Sequence, residues 1–100
     1  MIESIRDILL HHEGKANKIT SAQIAEAIGI NEDATYAKTR NMILNCAKTY
    51  SLPLAANTKG YYLITSKEEY NEYIANLDKR IAGIQERKKI ITENYKEWKK

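Results

Sequence analysis

Residues 20–66 read TSAQIAEAIGINEDATYAKTRNMILNCAKTYSLPLAANTKGYYLITS, and this stretch decides the fold. Thr20 or Ser21 can open a helix, because a hydroxyl accepts a hydrogen bond from an unpaired N–H of the first turn. Ser21, Ile24, Ala25 and Ile28 then form a short amphipathic helix,, which Gly29 breaks. Ile30 is apolar within the turn, and Asn31 is a candidate cap for a second helix. That helix is expected over about Glu32 to Tyr50, with Glu32 and Asp33 favourable at the positive end of its dipole,. On it Ala37, Ile43, Leu44, Ala47 and Tyr50 are expected to face inward. Lys38, Thr39, Asn41, Asn45 and Lys48 are expected to face out. Ser51 and Pro53 end the helix, since the residue before a proline resists helical angles. LPLAA at 52–56 and Tyr61–Thr65 read as two short strands, joined by a loop over Asn57, Thr58, Lys59 and Gly60,.

Working outward, Ile2, Ile5, Ile8 and Leu9 fall at helical spacing and predict a first helix from about Ile2 to His12, ended by Gly14,. Lys15 to Lys18 is a polar connector. On the far side, Ser66 with Glu69 forms an S-x-x-E capping box and starts a last helix that runs to near the C-terminus,. Along it Tyr70, Ile74, Leu77, Ile81, Ile84, Lys88, Ile91, Tyr95 and Trp98 alternate spacings of four and three. That is a heptad seam with Lys88 as its one charged member. Its first part, Tyr70 to Leu77, is expected to close the core over the hairpin. The distal part needs a partner: a second copy of the chain is the simplest, with folding back on its own domain or binding a different helix as the alternatives. The expected organisation is a domain over 1–66 followed by a helix over 67–100 that serves as a dimerisation coiled coil. The dimerisation residues are Leu77, Ile81, Ile84, Ile91, Tyr95 and Trp98.

The chain has 100 residues, 43% of them hydrophobic and 29% charged. This is one ordinary globular domain's worth, and it excludes collagen-like, disulfide-scaffold and disordered classes. The N-terminal MIESIRDILLHHEG carries acids and no uninterrupted apolar stretch, unlike a signal peptide,. No run of about 18 apolar residues exists to span a membrane. A single cysteine, Cys46, fits a reducing compartment, so the expected location is cytoplasmic,. Cys46 itself reads as a small core residue. No catalytic constellation stands out, and the reading is of a protein that is not an enzyme. The four glycines are isolated, so none forms a phosphate loop. His11 and His12 are adjacent and point apart on a helix, which does not make an i, i+4 metal pair. No cofactor and no small-molecule substrate are expected.

The order helix, helix–turn–helix, hairpin, long helix gives the fold class: mainly α with a small β-hairpin, laid out as a winged helix-turn-helix plus a long C-terminal helix. The charge pattern is an independent signal. Net charge is +3, but no Asp or Glu lies between Ala34 and Lys67, a stretch that holds Lys38, Arg40, Lys48, Lys59 and Lys67. A basic, acid-free middle between mixed-charge flanks is the footprint of an anionic partner. In a helix-turn-helix the second helix of the motif enters the major groove of double-stranded DNA. The candidate DNA-binding residues are therefore Thr35, Lys38, Thr39, Arg40 and Asn41 on that helix, with Asn57 and Lys59 on the wing. Arg40 has two readings, a phosphate or guanine contact, or a side chain laid over the core and paired with an acid. Tyr36 is expected to pack on the domain. One of Tyr61 and Tyr62 is expected buried and the other exposed. Gly60 is assigned to the tight hairpin turn, and Lys15 and Lys18 to flanking backbone contacts.

The segment SLPLAANTKGYYLITSKEEYNEYI, following AKTRNMI, resembles small winged-helix proteins of bacteriophages and prophages, mostly of Gram-positive hosts. The matching residues are Pro53, Leu54, Gly60, Tyr61, Tyr62 and Glu69, within a similar region from Thr20 to Ile84. The resemblance implies a DNA-associated role in a bacterial host cell but no named reaction; transcription regulation, DNA replication and packaging all stay open. Glu32 and Asp33, ahead of the groove-facing residues, depart from a phosphate-facing surface. An alternative keeps the fold and replaces DNA by a host protein, on which the chain docks to inhibit or redirect it.

Overall fold

The structure is a computed structural model and describes residues 1–31 and 36–98. It contains α1 (Ile2–Leu9), a 3-10 turn (Lys15–Asn17), α2 (Ser21–Ile28), α3 (Ala37–Tyr50), β1 (Leu54–Asn57), β2 (Gly60–Leu63) and α4 (Lys67–Trp98). The protein is mainly helical with one small antiparallel sheet. It divides into two compact units, Met1–Glu69 and Tyr70–Lys100.

In the first unit the core joins Ile5 and Leu9 of α1, Ile19, Ile24 of α2, Ile43 and Cys46 of α3, and Leu63 of β2. Ile2, Ile8, Ile28, Met42, Tyr50, Leu52, Leu54 and Tyr61 pack around it. Truncating a side chain such as Ile43 in this core costs about 2–5 kcal/mol, the lost transfer energy plus the cavity left behind. The core is complete within residues 2–63. Tyr70 and Ile74 stay exposed and α4 contains no buried residue. Tyr70 to Leu77, expected to close the core, belong to the second unit. Seven apolar side chains from α1, α2, α3, β2 and the segment ahead of α2 already exclude water from one another.

The helices follow their local signals, with boundary corrections. Thr20 caps α2: its hydroxyl accepts from Gln23 N at 3.1 Å while Gln23 Oε1 accepts from Thr20 N at 2.9 Å. This reciprocal pair satisfies two N–H groups at once. Gly29 closes α2 in the left-handed conformation, φ 79°. α1 stops at Leu9, before the expected His12, and Gly14 opens the 3-10 turn instead of ending a helix. α3 begins at Ala37, with Tyr36 at its N-cap in the left-handed region, φ 50°. Glu32 and Asp33, expected in its first turn, lie outside the described residues. α2 ends at Ile28 with Gly29 as its C-cap, and the described part of α3 begins at Ala37.

The hairpin pairs Leu54 with Leu63 and Asn57 with Gly60, leaving Thr58 and Lys59 as a two-residue turn. Asn57 Oδ1 accepts from Lys59 N at 2.8 Å, so the asparagine side chain shapes the turn,. The strands are shifted and shorter than the sequence predicts, since the ladder stops at Leu63. The second edge of β2 is covered by the chain between α1 and α2. Ile19 and Tyr61 exchange both backbone bonds, at 2.9 and 2.7 Å. Gly14 N donates to Leu63 O at 2.8 Å, and Leu63 N donates to His12 O at 3.0 Å. That connector is itself tied: His12 Nδ1 donates to Asn17 O at 2.8 Å, and Asn17 Nδ2 donates to Glu13 O at 2.9 Å.

Glu69 fastens the connector to the start of α4. Its carboxylate accepts from Lys15 N at 2.9 Å, Thr65 N at 3.0 Å and Thr65 Oγ1 at 3.2 Å. The capping box is half formed, because Ser66 Oγ accepts from Glu69 N at 3.1 Å while the glutamate reaches past Ser66 to Thr65. The backbone N–H groups of Lys15 and Thr65 hold this carboxyl below the usual carboxylate range. A depressed pKa contributes stability above the unfolded pKa, and that contribution is lost as pH falls through the folded one. Glu69→Gln is therefore expected to melt below the native protein at pH 7. The gap should close as the pH drops through the carboxylate range, as followed by circular dichroism.

Gly60 lies where β2 meets Ile19. Its φ is 142°, and a Cβ there would stand 2.6 Å from Ile19 O. At Gly29 nothing lies within 4 Å of the same added atom. Gly29→Ala is expected to cost about 1–2 kcal/mol of left-handed strain. Gly60→Ala should cost more, about 2–4 kcal/mol, as strain adds to the displaced Ile19 pair. Thermal melts of the two variants test the order. Equal losses would show that the Ile19 contact contributes nothing.

Candidate nucleic-acid interface

α3 buries Thr39, Ile43 and Cys46, with Met42, Ala47 and Tyr50 half-buried. The inward face is therefore turned from the one expected. Thr39, expected outward as a DNA contact, is 0% exposed and cannot reach a base. Leu44, expected inward, is 53% exposed, and Ala37 is exposed too. The physical reason is spacing: Thr39, Ile43, Cys46 and Tyr50 follow one another at four, three and four, one stripe of a helix. Among the described residues no buried polar side-chain atom lacks a hydrogen-bond partner. Cys46 donates its thiol to Ile2 O at 3.4 Å, and burial pushes the thiol pKa up, which keeps it unreactive,. Arg6 lies 4.7 Å over the Tyr50 ring and bonds Asp7, closing α1 onto the end of α3.

The opposite face of α3 carries Lys38, Asn41, Asn45 and Lys48, which line one open groove with Met42 and Leu44. Their spacing of three, four and three places them along one ridge. Lys38 and Asn41 stand where the sequence puts them, on the exposed side. Asn45 and Lys48 belong to the same ridge although the sequence reading does not count them among the contacts. Helical spacing from Lys38 is the signal that finds them.

Arg40 lies on the flank of this ridge and is exposed. It lines a cleft with Thr20 and Ser21 at the start of α2 and with residues 56–61 of the hairpin. Asn57 and Lys59 are both exposed there. The fold thus brings Arg40, Asn57 and Lys59 to one cleft and groups Lys38 with Asn41 on the neighbouring ridge. Thr35 lies outside the described residues. Lys18 is half-buried, and its Cβ is the nearest side-chain atom to the Gly60 position. Of the tyrosine pair, Tyr62 is buried and Tyr61 half-buried.

On α4 the seam is open. Ile81, Ile84, Ile91 and Tyr95 are 53–62% exposed and Trp98 is 87% exposed, while Leu77 is half-buried. Ile91, Tyr95 and Trp98 line a shallow apolar face with Asn94. Among the described residues no helix is long and apolar enough to cross a membrane. No described group of three or more His, Cys, Asp or Glu could hold a metal ion.

No protein-family model, curated protein or solved structure matches the chain.

The two faces of α3 make contrary demands, which substitutions at 39 and 41 separate. Thr39→Lys buries an unpaired charge, costs several kcal/mol, and is expected to abolish the melting transition. Asn41→Lys on the exposed ridge should stay within about 0.5 kcal/mol of the native protein. Two similar melting curves would show that the phase of α3 is wrong.

Proposed function

We propose that this chain is a winged helix-turn-helix protein that binds double-stranded DNA as a dimer. In this reading α3 is the recognition helix. Lys38, Asn41, Asn45 and Lys48 face the major groove, and Arg40 and Lys59 hold the flanking phosphates. The observation that carries it is the meeting of Arg40, the wing turn and the start of α2 around one cleft, beside the α3 ridge. Basic residues far apart in sequence converge there, in a stretch without an acid from Ala34 to Lys67. The Ile19–Tyr61 pair supports the fold assignment, because it places a strand-like segment between α1 and α2 on the far edge of β2. Leu44, exposed within the ridge, suits contact with a thymine methyl group,. α4 pairs two copies through Leu77, Ile81, Ile84, Ile91, Tyr95 and Trp98.

The proposed role follows the resemblance: a phage or prophage regulator of transcription, or an accessory of DNA replication, working in the cytoplasm of a bacterial host. It needs no cofactor and performs no catalysis. The exposed Leu44 is also the observation that favours the second reading, docking of α3 on a host protein.

Fluorescence anisotropy of a random-sequence duplex at about 50 and 200 mM salt separates the two. A DNA-binding surface neutralising around six phosphates loses on the order of 10³-fold in affinity over that range. Lys38→Glu with Lys59→Glu should abolish binding while the melting curve is kept. Salt-insensitive or absent binding by folded protein overturns the DNA reading and favours a protein partner.

A further inference from the structure

Turned away from the buried Thr39, Ile43 and Cys46, α3 presents Asn41, Leu44, Asn45 and Lys48, all exposed. At about 100° per residue, these four lie within roughly 60° of the direction opposite the buried stripe. Side chains so placed reach furthest into whatever α3 meets. With Lys38 near the start of the helix they line one open groove. We propose that this face reads A·T base pairs: Asn41 pairs its amide with an adenine, and Leu44 packs on the methyl group of a thymine in the neighbouring base pair. The inference rests on the DNA reading proposed above and adds the base composition of the site.

The donors and acceptors of the face argue for adenine. In the major groove adenine offers an acceptor at N7 beside a donor at N6, and a carboxamide matches both at once. Guanine offers two acceptors, which oppose the amide oxygen and suit an arginine fork instead. Cytosine offers a donor, which a carboxylate accepts. The face has two amides, Asn41 and Asn45, and neither of the other groups. Arg40 is about a quarter-turn from its centre, in the cleft beside the hairpin,. No Asp or Glu lies between Ala34 and Lys67.

Leu44 argues for thymine. It is 53% exposed between polar neighbours on the ridge, and an isobutyl group gains only from apolar contact. Of the four bases, thymine alone carries a methyl group in the major groove. Adenine pairs with thymine, so the amide and the leucine select the same type of base pair.

The spacing allows both contacts together. Leu44 follows Asn41 by three residues, about 4.5 Å along the axis at 1.5 Å per residue. One base-pair step is about 3.4 Å, so the two side chains fall on neighbouring pairs. Asn45, about 6 Å from Asn41 along the axis, brings the second amide close to the pair beyond. Lys38 and Lys48 stand at the two ends, about 15 Å apart along the axis. That span is comparable to the ~12 Å width of the major groove, which suits both ammonium groups to the phosphates on its rims.

Selection from a randomised duplex library by the intact protein, at about 50 mM salt where phosphate contacts are strong, tests the reading. The retained sequences are expected to share an adenine with a thymine in the next base pair. Replacing that step by G·C should weaken binding on the order of 10-fold or more in anisotropy. Asn41→Ala should lose the adenine preference and Leu44→Ala the thymine preference, each with the melting curve kept. Uracil in place of the thymine removes only the methyl group. It should weaken binding by the native protein and leave binding by Leu44→Ala unchanged. A retained site centred on G·C, retention with no shared step, or a preference unchanged in either variant overturns the proposal and leaves DNA binding by α3 and the wing standing. A folded protein that retains no duplex at low salt overturns both.

Discussion

The first unit depends on one reciprocal pair of backbone hydrogen bonds, between Ile19 and Tyr61. β1 and β2 have four residues each, and an isolated hairpin of that size is marginal in water. Ile19 supplies the missing edge, and Gly14 and His12 continue it towards Leu63. The backbone groups on that side of β2 are satisfied, and the strand offers no template for a second chain there. The approach is close enough that only a residue without Cβ fits at Gly60. Ile19 also precedes the Thr20 cap, so the bond that ties the hairpin to Ile19 lies next to the first turn of α2. The cleft holding Arg40 and Lys59 follows from that single contact.

The features legible in the sequence are those that local chemistry determines. The cap at Thr20, one of two candidates in the sequence, Gly29, Ser66 and the Asn57–Gly60 turn each act within four residues and are found where the sequence places them. The phase of α3 differs from its hydropathy pattern for a physical reason. Hydropathy ranks Leu44 above Thr39, yet the stripe is set by which side of the helix meets α1, and a threonine with a hydrogen-bond partner is buried there. The Ile19–Tyr61 pair joins residues far apart in sequence through backbone atoms, so no side-chain pattern announces it. Lys38, Asn41, Arg40, Asn57 and Lys59 are recoverable because charge and exposure go together on a surface. Asn45 and Lys48 face out as the sequence predicts, and their spacing from Lys38 places them on the same ridge.

No Asp or Glu falls in the sequence from Ala34 to Lys67, which includes α3 and the hairpin. The nearest carboxylates after the wing are Glu68 and Glu69. Glu69 turns its charge onto the N–H groups of Lys15 and Thr65, which stabilise the ionised form. A carboxylate engaged in this way joins two segments of the fold and presents less charge to an approaching phosphate. The positive side chains of α3 and the turn have the opposite arrangement, on long flexible stems at the surface. Each contributes little to stability, since exposed charges are well screened, but together they can neutralise several phosphates. The residues that hold this unit together and those that would meet a ligand are therefore nearly separate sets. Charge reversal at Lys38 or Lys59 should read out binding rather than folding.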